Sequence, residues 1–131
     1  MNIPNPTDSY SVAIYNDSSI LVGGKDGAHR FDYNNSQFWY HSQVYSIPGE
    51  YMMGIALHPR NRSEGYMSHW SGKKFSHFVY NGTLIRKTGH FLNISTNLYF
   101  RDIKFNNIGT KIIGSLEDGT IFLASMCTLD T

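Results

Sequence analysis

Apolar residues along this chain fall in short runs, each closed by a cluster of Gly, Asn, Asp, Ser or Pro, and no stretch keeps the three-and-four spacing that one face of a helix requires. Three short runs are built alike: Val12-Ala13-Ile14, Ile55-Ala56-Leu57 and Ile103-Lys104-Phe105. Turn formers end each of them, as Asn16-Asp17-Ser18, His58-Pro59-Arg60-Asn61 and Asn106-Asn107-Ile108-Gly109. A second strand then follows over residues 20–23, 66–68 and 111–115. Lys25-Asp26-Gly27 and Glu117-Asp118-Gly119 close it with a tight hairpin turn, because Gly accepts positive φ after Asp. Ser71-Gly72-Lys73 is the weaker equivalent. A third strand is expected over residues 28–32, 75–80 and 120–126, and a fourth over 38–45 and 84–91. The prediction is an all-β chain of short antiparallel strands a, b, c and d.

These units repeat. The spacings are 43 and 48 residues from Val12 to Ile55 to Ile103, and 45 and 47 from Gly27 to Gly72 to Gly119. A single barrel or sandwich shows the same alternation without such a register, whereas a strand-rich period near 45 belongs to propeller blades. The expected blades cover about residues 9–46, 51–92 and 98–131 of one domain spanning 1–131, the last running out after strand c. On this pattern the chain resembles the β-propeller superfamily, with divergent WD-repeat-like or quinoprotein-like blades. Residues 108–125, "IGTKIIGSLEDGTIFLAS", are the stretch most similar to a WD-repeat b–c hairpin, with Ser115 and Asp118 at its hydrogen-bonding positions. Gly89-His90 resembles the dipeptide that precedes a blade, and Phe31-Asp32 echoes the terminal Trp-Asp. The resemblance implies about three four-stranded antiparallel blades, a partial propeller, because rings close with 4–8 blades. Copies of the chain, a partner chain or further blades would complete the ring. The function implied is a non-enzymatic protein-interaction scaffold, a homo-oligomer or the subunit of a complex.

Composition narrows this a little. Aromatic residues make up 15% and charged residues 16% of the chain, as in a compact strand-rich domain. The net charge of +1 gives no electrostatic reason to expect nucleic acid or an anionic membrane as partner. The longest apolar run, "YMMGIAL", is far short of the roughly 20 residues of a membrane span. "MNIPNPTDSY" has neither a basic start nor an apolar core, so no signal peptide is visible and a cytoplasmic or nuclear protein is expected. The lone Cys127 leaves no internal disulfide and no cysteine zinc cage.

Candidate chemistry is sparse. The six histidines form no close metal-binding pair with acids; His69 and His77, on neighbouring strands, are expected to pack across the sheet. No nucleophile elbow, phosphate loop or zinc-protease motif occurs, so no catalytic residue, metal or cofactor is expected. The b–c and d–a loops share one end of a propeller and hold Lys25, Asp26, Trp70, Lys73, Lys74, Glu117 and Asp118. Trp70 beside two lysines would anchor an acidic peptide or a sugar ring, or else pack between blades. "QFWYHSQVY", residues 37–45, is aromatic on both strand faces and is expected to pack against the next blade. Five N-x-S/T sequons, at Asn16, Asn34, Asn61, Asn81 and Asn93, exceed the roughly two expected by chance. They support an alternative reading, a secreted, glycosylated propeller that binds carbohydrate or a receptor. The competing explanation is that Asn and Ser concentrate in turns.

Overall fold

The computed structural model describes residues 9–72, 74–92 and 98–125, so Lys73, Asn93 and Cys127 lie outside the described residues. The regular elements are all strands: β1 (Ser9–Asn16), β2 (Ser19–Asn34), β3 (Gln37–His58), β4 (Asn61–His69), β5 (Phe75–Tyr80), β6 (Ile85–Leu92), β7 (Phe100–Phe105), β8 (Lys111–Leu116) and β9 (Ile121–Ser125). Among the described residues no helix is long and apolar enough to cross a membrane.

Two of these strands do more than one crossing of a sheet. β2 has 16 residues and laid straight would span about 50 Å, yet the Tyr33 amide donates to the Ser18 carbonyl at 2.7 Å. It therefore doubles back, at Asp26 (φ 64°) and Gly27 (φ 131°), the positive pair that a tight hairpin needs. β3 pairs with the returning arm of β2 from Gln37 to Ser46, then with β4 from Met52 to His58. Residues 47–51 between them carry the chain from the outer edge of one sheet to the inner strand of the next. The hydrogen-bonded orders are β1-β2-β3-β4-β5-β6 and β7-β8-β9. With β2 and β3 divided at their bends, these are two four-stranded antiparallel blades and three strands of a third.

Blade packing follows from the alternation of side chains along a strand. In the middle blade, adjacent residues go to opposite cores. Ile55, Leu57, Met67, Phe78 and Tyr80 join Leu21, Ala28 and Val44 of the first blade. Ala56, Tyr66 and Phe75 join Phe100, Ile103 and Ile112 of the third. Strands buried on both faces need apolar residues at consecutive positions, which is why Ile55-Ala56-Leu57 carries no polar residue. At the centre, Ser11 Oγ donates to Asp102 Oδ1 at 2.8 Å and accepts from the Ile55 amide at 3.2 Å, so the innermost strands of all three blades meet there.

One sequence expectation is met only in part. The aromatic strand over 37–45 packs against the next blade only at its end, where Val44 is buried in the shared core and Tyr45 packs on it; over the rest of the stretch Trp39 is 49% exposed and no residue is buried. It is the outermost strand of its blade, where neighbouring blades diverge. Its rings turn back on their own sheet, Phe38 against Tyr33 at 5.0 Å and Tyr40 against Phe31 at 5.4 Å. His69 and His77 also find separate surroundings. His69 sits beside Glu50 and Ser71, while His77 packs on Tyr66 and shares a hydrogen bond with Thr88.

Candidate functional site

The antiparallel order brings the b–c hairpins and d–a connections to one end of the blades, and polar contacts join each hairpin to a connection. Asp26 Oδ1 accepts from the Gly49 backbone amide at 3.0 Å, and Gln43 Nε2 donates to the Asp26 carbonyl at 2.8 Å. Ser71 Oγ donates to Glu50 Oε2 at 2.6 Å, with His69 Nδ1 at 3.9 Å from the same oxygen. Burial lowers the basicity of His69; Glu50 pulls the other way, and nearby Lys87 and Lys74 add to the lowering. Ser71, His69 and Glu50 thus hold a hairpin to a linker; the serine proton is directed at the carboxylate and away from the imidazole.

Trp70 follows β4 directly. Its amide donates to the Tyr51 carbonyl at 2.7 Å, which fixes its backbone across the linker, yet its side chain leaves the residue 50% exposed. Arg101, in the first turn-side positions of β7, lies with its guanidinium carbon 4.6 Å from the Trp70 ring centre and 5.7 Å from that of Tyr99. The same guanidinium donates to the Trp70 carbonyl at 3.2 Å and pairs with Glu117 at 3.6 Å. One arginine therefore joins the second and third blades and props an open indole, a cation–π contact of about 1 kcal/mol at such half-exposed sites.

The residues expected from sequence are only partly gathered here. Trp70 and Glu117 are brought together through Arg101. Asp26 holds the first connection. Lys74 lies over Phe91, 4.3 Å from its ring centre. Lys25 is exposed, and its carbonyl accepts from the His29 ring at 2.9 Å. Asp118 Oδ1 accepts from the Thr120 amide at 2.9 Å, and hydrogen bonding from the Thr120 side chain, then from this amide, holds the carboxyl below its usual range. Ser115 Oγ, by contrast, reaches the inner strand and accepts from the Asp102 amide at 3.2 Å. Sequence reasoning missed Arg101 and Glu50. Glu50 sits in the first d–a connection and Arg101 at the start of β7, and the hydrogen-bond and ion-pair partners named above are 16 to 31 residues away, so no local spacing marks them.

At the other end, Asn16, Asn34, Asn61 and Asn81 are all exposed in a–b and c–d turns. Asn16, Asn61 and Asn81 each accept a hydrogen bond from the backbone amide two residues on, at 2.8, 3.2 and 2.8 Å. Asn34 leads into Asn35 and Ser36, which hold φ of 53° and 63°. These asparagines build their turns, as the composition of turns predicts. Among the described residues no group of three or more His, Cys, Asp or Glu is placed to hold a metal ion.

No family model and no curated protein matches the sequence. Among solved structures, the crystal structure of the C-terminal WD40 domain of Sif2 superposes with a TM-score of 0.63 at 12% identity. The match covers 93% of this chain and 35% of that one, so the chain spans about a third of the WD40 domain it resembles. The fold is a divergent WD-repeat β-propeller fold, present as a partial propeller.

Proposed function

We propose that the chain is a non-enzymatic protein-interaction scaffold, part of a larger assembly in the cytoplasm or nucleus, that captures a partner peptide on the end of the blades bearing Trp70. The observation that carries this reading is the half-exposed indole held from below by Arg101. A rigid, partly open aromatic on a fixed scaffold offers large contact area with little entropy left to lose, which is the usual character of an interface anchor. Glu117, paired with Arg101, lies beside it, Lys25 is exposed at the same end of the blades, and the rigid sheets beneath keep the loops in place.

Panning a displayed random-peptide library on the chain, then remeasuring the recovered peptides on Trp70→Ala, tests the proposal. The variant removes only about half of an indole's burial, a cost of about 2 kcal/mol, and should remain folded. Peptides should lose about tenfold or more in affinity. Recovered peptides that bind the folded variant unchanged would remove Trp70 from the site.

A second reading, the secreted propeller, draws on the exposure of four sequon asparagines at one end of the blades. Secretion from a glycosylating host followed by endoglycosidase digestion separates the two: a mass decrease at those asparagines favours the secreted form.

A further inference from the structure

A second site lies at the opposite end, where the innermost strands part. A groove of about 250 Å³ runs between β1, the inner arm of β3 and the end of β7. Its lining includes Val12, Ile14, Leu57, Arg62, Lys104 and Asn107, and no carboxylate belongs to it. Both cations reach across the groove to the same strand edge. Lys104 Nζ donates to the Val12 carbonyl at 3.2 Å, and Arg62 donates to the Ile14 carbonyl at 3.3 Å.

That edge belongs to β1, which is terminal in its sheet and has β2 as its one strand neighbour among the described residues. In an antiparallel strand, the amide and carbonyl of one residue point to the same side. The amides of Val12 and Ile14 therefore face the groove beside the carbonyls that Lys104 and Arg62 cover. The groove thus offers a strand edge with two donors spaced for an extended chain, flanked by two positive charges. Bonds to neutral carbonyls are about half as strong as bonds to a carboxylate, so both cations gain by exchanging one for the other. The volume is below the roughly 300–1,000 Å³ of small-molecule pockets, and suits a few residues of a peptide better than a whole small ligand.

We infer that this groove binds an extended acidic peptide, which pairs with the open edge of β1 and places carboxylates on Lys104 and Arg62. The mode is strand addition, with backbone bonds supplying affinity and the two cations selecting acidic side chains. The site is distinct from the Trp70 end, and either proposal can fail alone.

The probe is a fluorescent hexaglutamate peptide, read by anisotropy, with hexalysine and inorganic phosphate as competitors. Hexaglutamate should bind, and more weakly as salt screens the charges. Lys104→Met and Arg62→Met should each lose about tenfold in affinity. Lys104→Arg should retain binding, and Trp70→Ala should leave it unchanged. Carbodiimide coupling on the unsubstituted protein gives an independent readout that no folding defect can confuse. The peptide should be joined at Lys104. Absence of binding, coupling confined to Lys25, Lys74 or Lys87, or undiminished binding by folded Lys104→Met would overturn the inference. Competition by phosphate as strong as by peptide would equally overturn it, reducing the groove to a simple anion site.

Discussion

At the scale of single residues, the same type of residue carries different weights according to what surrounds it. Gly27 and Gly119 both close b–c hairpins with positive φ, at 131° and 90°. A Cβ at Gly119 meets open space, whereas one at Gly27 would overlap the Tyr45 carbonyl of the neighbouring strand. Gly119→Ala should therefore cost only the backbone strain of about 1 kcal/mol. Gly27→Ala adds displacement of a paired strand and should cost about 3 kcal/mol. Thermal melts of the two variants check this, and equal shifts would contradict it. Asp32 offers a second test. Burial pushes its carboxyl up, but hydrogen bonds from Arg30 and Ser19 at 2.9 Å each, with the charge of Arg30, hold it below its usual value. Arg30 also donates to the Gly82 carbonyl at 2.8 Å and to Tyr80, so the pair ties the first blade to the second. With the folded pKa depressed, the unfolded chain binds more protons between the two values, and stability rises with pH there. The contribution is complete above the unfolded value of about 3.9 and is lost as pH falls through the folded one. Asp32→Asn should melt lower at neutral pH and show a shallower acid decline than the unsubstituted chain. Parallel acid profiles would show that the carboxylate does not contribute.

At the scale of strands, much of the architecture was legible because its causes are local. Asp26-Gly27 announces a hairpin whichever blade contains it, and Ile55-Ala56-Leu57 announces a short apolar strand. The two cores show why it is apolar throughout, with Ile55 and Leu57 on one side and Ala56 on the other. Up to Val44, the 37–45 strand misled for an instructive reason. Consecutive aromatics mark either burial between sheets or an outer strand whose rings fold onto their own sheet, and periodicity cannot distinguish the two. The position of the strand within the blade decides, and Trp39 makes the difference visible by donating its indole N–H to the Asn34 carbonyl at 3.1 Å. The candidate site was less legible. Trp70 stood out as a large residue in a hairpin, but its support comes from Arg101, 31 residues away in another blade. Lys74 was read from its neighbours in sequence as one of two lysines beside Trp70, and its ammonium lies over Phe91. Pairings across blades depend on the register between repeats, which varies here from 43 to 48 residues.

At the scale of the molecule, the described blades form a wedge with two open flanks. On the first blade, Ala13 enters the core, so Val12 and Ile14 point the other way and are 46% and 60% exposed. On the third, Ile112 is buried, while Ile113, Ile121 and Leu123 on the far face are 47%, 67% and 65% exposed. The corresponding faces inside the wedge bury Leu21 and Phe100 completely, so each open flank has the character of an interface lacking its other half. Among the described residues β9 is terminal in its sheet, with β8 as its one strand neighbour. Apolar flanks and a terminal strand together favour association. The 131-residue chain expressed by itself should therefore pair with copies of itself or with a chain that supplies further blades. Light scattering after gel filtration at low micromolar concentration reads this directly. Association should weaken in the double variant Ile14→Glu, Leu123→Glu, which charges both flanks and leaves the two cores untouched. A monodisperse species of 14.9 kDa with a cooperative melt would show instead that the wedge is stable with its flanks in water.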